Sequence, residues 1–301
     1  MNLSRPITEI SSAANPQLKL WLSLQERKGL RRHGQFLLSG RKLVPELLVQ
    51  QPGLFQALIF SQPEQLEELA SSDHVASLML RSHKGPAEGL SAKALTLIAN
   101  LPKSISLYRL APSLFSELDF FATEAPLLIG NQPELNSSDL MSLPFGLELL
   151  TATGDPANLG ALLRSSEAFG VRKVILLEEC AHPFNPKVIR ASSGSVFRLK
   201  LEWGPSIQDL ASALPLSPRS EPWLYALSSH PGRSRSLVDL AWPPHLRLLV
   251  GEEGPGLPQN LIQNPLIQHL TIPMQPGVES LNATVAASLA LWEIQRSRSG
   301  R

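Results

Sequence analysis

Three short segments carry residue types and spacings that could do chemistry, and each follows an apolar run. In Asp155-Pro156-Ala157-Asn158-Leu159-Gly160-Ala161-Leu162-Leu163-Arg164, Asp155 or Asn158 can cap a helix, and Pro156 is tolerated at its start. Gly160, Ala161, Arg164 and Ala168 then share one helix face. That face is small apart from one guanidinium, so a backbone or a ligand can approach closely while Arg164 projects into the gap. Taken alone, Arg164 also reads as a solvated surface charge. The second segment, Gly251-Glu252-Glu253-Gly254-Pro255-Gly256-Leu257-Pro258, permits a tight turn against a flat ligand. It lacks the Lys and Ser/Thr of a phosphate-binding loop, and its acidic pair would repel a phosphate, so a neutral ring suits it better. The third, Ile272-Pro273-Met274-Gln275-Pro276-Gly277-Val278-Glu279-Ser280-Leu281-Asn282, ends in a small-residue helix with Ala283, Ala286 and Ala287. Ser280 or Asn282 is either a site residue or simply that helix's N-cap.

The surrounding patterns predict the elements that must position these segments. Leu18, Trp21, Leu22 and Leu24 give an amphipathic helix from Asn15-Pro16 to the Arg27–Arg32 cluster, followed by a strand at 34–38 and a helix at 41–50. Strand-like runs at 57–60, 77–80 and 105–110 alternate with helical segments at 64–70 and 92–100. This reads as a small α/β domain over 1–110. Residues 111–145 contain Pro112, Pro126, Pro133 and Pro144 and an apolar Leu127-Leu128-Ile129, and read as a linker with some local structure. From 146 to 301, strands are expected at 147–151, 173–177, 196–201, 223–227, 246–250 and 269–272. Helices are expected at 158–169, 206–213, 258–263 and 283–297. That alternation predicts a mostly parallel, doubly covered sheet, with ligands at the carboxyl ends of its strands.

At 301 residues, 43% hydrophobic and 18% charged, the chain can bury two cores, and no apolar run is long enough to cross a bilayer. The N-terminus has no apolar signal core, and Cys180 is the only cysteine. A disulfide framework is excluded and a reducing cytoplasm is expected, with Cys180 as a buried thiol. The net charge of +1 says little about partners, but residues 1–50 hold eight basic side chains against three acidic ones. Arg27, Lys28, Arg31, Arg32 and Arg41 therefore suit a polyanion, or equally a solvated helix face. The seven histidines have no ligand-like spacing, so no metal is expected, and no Ser-His-Asp arrangement is visible.

Taken in order, NLGALLRSSEAFG, LLVGEEGPGLP and IPMQPGVESLNATVAASLALWE resemble the three motifs of the SpoU (TrmH-like) family of RNA 2′-O-ribose methyltransferases, in the SPOUT superfamily. KVIRASSGSVF matches a further family segment, and NPQLKLWLSLQERKGLRRHGQFLLSGRKLV is similar to the substrate-binding domain that many members carry. The resemblance implies a parallel-sheet domain with a deep trefoil knot, preceded by a small, ribosomal-protein-like RNA-binding domain. It implies S-adenosylmethionine as methyl donor, structured RNA as substrate, with rRNA favoured over tRNA, and a cytoplasmic homodimer. By the same carry-over, Arg164 with Asn158, Glu253, Ser280 and Asn282 would form the catalytic set. Gly251, Gly254, Ile272, Met274 and Leu281 would hold the donor, and Arg190 would meet RNA phosphate. Ser39-Gly40 replaces the family's usual acidic residue before glycine. A non-catalytic RNA-binding protein of the same fold and a base-directed methyltransferase are the alternatives.

Overall fold

The computed structural model describes residues 5–76, 90–215, 222–228, 234–252, 254 and 256–299. The expected strand at 77–80 lies outside them, as does Glu253. The chain divides into two compact units, Met1–Pro133 and Glu134–Arg301, with Phe184–Pro186 grouped with the first.

The first unit runs β1 (Ile7–Ile10), α1 (Pro16–Ser23), α2 (Arg27–His33), β2 (Gln35–Leu38), α3 (Leu43–Gln50), β3 (Phe55–Phe60), α4 (Pro63–Ala70), α5 (Ala92–Asn100), β4 (Ser106–Leu110), α6 (Pro112–Leu118) and β5 (Leu127–Asn131). Its sheet has the order β1-β4-β3-β5-β2, with β5 antiparallel to both neighbours. Asn15 caps α1 through its Oδ1, 2.8 Å from the Gln17 N–H. Gly34, at φ 62°, ends α2 in the left-handed conformation that glycine adopts without strain. The expected linker over 111–145 is therefore corrected. Residues 112–118 form a helix, and Leu127, Leu128 and Ile129 are fully buried in an interior strand of this sheet. An apolar run bounded by prolines is here a central strand, because Pro126 lies just before it and removes no ladder hydrogen bond.

The second unit runs β6 (Leu147–Thr151), α7 (Pro156–Ala168), β7 (Lys173–Leu176), α8 (Pro186–Ala191), β8 (Leu201–Trp203), β9 (Leu224–Leu227), β10 (Arg235–Ser236), β11 (Leu246–Val250), α9 (Gln259–Ile262), β12 (Ile267–Thr271) and α10 (Ala283–Ser299). The seven strands are all parallel, in the order β10-β12-β9-β11-β6-β7-β8. Every residue of β6 and β11 is buried, as a strand covered on both faces requires. Two expectations fail locally. The run at 196–201 is a 3-10 turn at Ser195–Phe197 followed by the short β8, because Ser193 (φ 48°) and Gly194 (φ 79°) reverse the chain first. At 206–213 only the 3-10 turn Leu210–Ala213 forms.

Residues 136–142 brace the sheet from its β8 edge. Asn136 and Ser138 exchange backbone hydrogen bonds with Trp203. The strap then meets Arg247, whose fully buried guanidinium donates to the Leu140 and Ser142 carbonyls (3.0 and 2.8 Å) and to Glu148 (2.7 Å). No described helix is long and apolar enough to cross a membrane.

Candidate functional site

The carboxyl ends of β9, β11 and β12 open into a cavity of about 170 Å³. Leu227 and Ser228, then Val250, Gly251 and Glu252, then Leu270, Thr271 and Ile272 form its floor. Gly256, Leu257, Met274, Ser280, Leu281, Ala283 and Ala286 close it. Three adjacent parallel strands thus end on one pocket, where open α/β sheets hold their ligands. The Glu252–Gly256 turn folds back on itself: the Glu252 N–H donates to the Gly256 carbonyl (3.3 Å) and the Gly256 N–H to the Glu252 carbonyl (3.1 Å). Gly254 (φ 91°) and Gly256 (φ 72°) supply the left-handed residues that such a turn needs. At Gly251 a Cβ would stand 2.8 Å from the Gly256 carbonyl oxygen and 3.0 Å from Leu257 Cδ2. The turn therefore packs against the strand end only because residue 251 has no side chain.

Of the five expected donor-binding residues, Gly251, Ile272, Met274 and Leu281 line this cavity, and Gly254 does not. Ser280 lines it as well. The apolar walls suit a flat neutral ring, and Thr271, Ser280 and one carboxylate residue, Glu252, add polar groups to the lining. Asn282 lies just beyond. Its Oδ1 accepts from the Thr284 and Val285 N–H groups (2.9 and 3.2 Å), so it caps α10.

The first motif reaches the third through paired helices. Asp155 caps α7, accepting from the Asn158 N–H at 2.8 Å. Thr284 Oγ1 of α10 donates to the Asn158 carbonyl (3.1 Å), and Ser288 Oγ donates to Ser165 Oγ (2.8 Å). Gly160 lies against α8, where a Cβ would meet Ala191 Cβ at 2.5 Å and the Val188 carbonyl at 2.8 Å. The small face expected on this helix thus receives a backbone. Arg164 is exposed and is not among the cavity-lining residues. Its nearest candidate partner along the helix, Glu167, is held by Arg198 in a two-pronged pair (2.6 and 3.0 Å), which keeps the Glu167 carboxyl below the usual carboxylate range. No hydrogen bond or ion pair joins Arg164 to another described residue. Cys180 is buried and donates its thiol to the Thr151 carbonyl (2.9 Å), a structural contact.

The proposed RNA contacts lie at the surface. Arg27, Lys28, Arg31 and Arg32 are exposed on α2, and Arg190 is exposed on α8. Arg41 is exposed as well, and pairs at the surface with Glu68 (2.7 Å), Glu124 (3.5 Å) and the Thr123 carbonyl (3.0 Å). Among the described residues no group of three His, Cys, Asp or Glu side chains is arranged to hold a metal ion.

Residues 149–292 match the family model described as the SpoU rRNA Methylase family. The chain is 32% identical, over 183 residues, to the 23S rRNA (guanosine-2′-O-)-methyltransferase RlmB of Bordetella pertussis, spanning 60% of this chain and 69% of that protein. The chain belongs to the SpoU rRNA methylase family. A second relative, the ribosomal RNA small subunit methyltransferase G 2 of Syntrophobacter fumaroxidans, is 35% identical over 97% of this chain. This SpoU chain spans only 50% of that protein's length. Its fold matches that of an AdoMet-bound rRNA methyltransferase from Sinorhizobium meliloti at a TM-score of 0.67 and 22% identity, covering 96% of this chain and 98% of the other. The SpoU match spans every segment that builds the cavity, all of α7, and α10 as far as residue 292, and the ionisable lining residue that the motifs did not assign to the site is Glu252. Beside Glu253, it had no spacing of its own to mark it.

Proposed function

We propose that this protein methylates a ribose 2′-hydroxyl of structured RNA, with rRNA the favoured substrate, using S-adenosylmethionine as donor. Family membership carries the reading, and the name of the Bordetella relative supports a 23S rRNA 2′-hydroxyl as target. The hydrogen bond from Thr284 to the Asn158 carbonyl supports a single site, because it couples the Arg164 helix to the segment that borders the cavity.

Gly251, Ile272, Met274 and Leu281 would hold the donor, with Gly254 shaping the turn above it. When bound, the donor supplies an electrophilic methyl group on a positively charged sulfur. Transfer would form an O–CH3 bond as the S–CH3 bond breaks, leaving a neutral thioether, with the hydroxyl proton passing to water. The chain must orient that hydroxyl and stabilise the charge that develops on its oxygen. An arginine guanidinium holds its proton too firmly to be a good base. Arg164 therefore acts as hydrogen-bond donor and cation, while Asn158, Glu253, Ser280 and Asn282 position it, the ribose and the loops. Arg27, Lys28, Arg31, Arg32 and Arg41 of the first unit would meet RNA phosphate, as would Arg190 of the second.

The same reading includes a trefoil knot, a cytoplasmic location and a homodimer. Val285, Leu289 and Trp292, about half-exposed at successive turns of α10, supply an apolar stripe for the dimer. The test is Arg164→Ala. Donor affinity by calorimetry should stay within twofold while methyl transfer to RNA falls at least a hundredfold. Retained turnover would remove Arg164 from the reaction.

A further inference from the structure

Glu252 is the only described residue lining the cavity whose side chain ionises. It is partly buried, and no hydrogen bond or ion pair joins its side chain to another described residue. Its backbone is fixed on both sides. Two hydrogen bonds to Gly256 close the turn, and the preceding Gly251 has no room for a side chain. This carboxylate residue stands beside apolar walls such as Leu257, Leu270 and Ile272. A cationic ligand is attracted by a carboxylate and a neutral one is not.

We propose that Glu252 is the residue that separates donor from product. The inference rests on the donor assignment above. The carboxylate attracts the sulfonium of S-adenosylmethionine. Once the S–CH3 bond has broken, the sulfur of S-adenosylhomocysteine is a neutral thioether and that attraction is gone. The cavity therefore holds the donor and lets the product leave. A tenfold preference for the charged ligand corresponds to about 1.4 kcal/mol of attraction, which opposite charges near a protein surface can supply. The amino-acid end of the ligand carries the same charges before and after transfer and contributes nothing to this difference.

The experiment measures the affinities of S-adenosylmethionine, S-adenosylhomocysteine and sinefungin by calorimetry, for the wild-type protein and for Glu252→Gln. Sinefungin carries an ammonium where the donor carries its methylated sulfur, so it reports charge without reactivity. Glu252→Gln should weaken the donor and sinefungin by about tenfold and leave the thioether within twofold. Equal weakening of all three ligands, or no change in their ratios, would overturn the proposal while leaving the donor assignment standing. A wild-type protein that binds none of the three would overturn both. Glu252→Ala, which keeps the turn's backbone hydrogen bonds, is the second variant and should change the ratios in the same direction. A thermal melt on each variant establishes that it is folded.

Discussion

Replacing Gly160 by alanine tests how tightly the helix bearing Arg164 is seated. The added Cβ would stand 2.5 Å from Ala191 Cβ, 2.8 Å from the Val188 carbonyl oxygen and 3.0 Å from the Ser192 nitrogen. None of these atoms can rotate away, and the Val188 carbonyl already accepts from the Ser192 N–H at 2.9 Å. Relief requires α7 and α8 to separate by about 1 Å, an overpacking that costs about 1–3 kcal/mol. Alanine returns about 1 kcal/mol through its better helix propensity. The expected balance is a loss of about 1–2 kcal/mol, read as a lower urea midpoint at unchanged slope. Because α8 is not part of the cavity, donor affinity should hold while methyl transfer falls. Equal or greater stability in the variant would refute the close-contact reasoning.

Arg247→Leu should cost about 3–5 kcal/mol, because it leaves Glu148 without its closest cation and two strap carbonyls without donors. The double variant Arg247→Leu, Glu148→Leu should recover part of that loss in urea unfolding, and a double variant no more stable than the single would count against the ion pair. Four carboxyls lie below their ordinary range: Glu167 through Arg198, Glu293 through Arg296, Asp139 through Ser142, and Glu202, where burial is outweighed by hydrogen bonds that include those from Lys200 and Lys173. With folded-state values lowered, their contribution is complete above the unfolded value and disappears as pH falls through the folded one. Urea midpoints should therefore be level near pH 6 and drop below about pH 4.5, and a flat profile down to pH 3.5 would contradict the assignment. Leu289→Glu should halve the mass measured by light scattering at micromolar concentration; a wild-type protein already monomeric there would exclude the α10 interface.

The parts of the fold legible in the sequence are those where one local signal dominates. Residues 147–151 and 246–250 are apolar over most of their length, and both are strands buried from end to end. Residues 92–100 read as a helix by spacing, and Ser91 caps that helix through the Ala94 N–H. Proline misled at 111–145, because Pro112 opens α6, where its missing N–H costs nothing, and Pro126 stands just before β5. The motif residues were recognisable by type, but partners distant in sequence were not. Nothing near Arg41 announces Glu124, and nothing near Asn158 announces Thr284. Asn282 was readable as a cap or a site residue, and its Oδ1 is occupied by the cap.

The central claim is that this chain places a methyl group on a ribose oxygen of RNA. Ribosomal RNA incubated with the protein and a radiolabelled donor, then hydrolysed in alkali, tests it directly. Alkali cleaves each linkage through the neighbouring 2′-hydroxyl, so the label should appear in an alkali-resistant dinucleotide. Label released in mononucleotides would contradict the account, as would RNA that takes up none from folded, donor-binding protein.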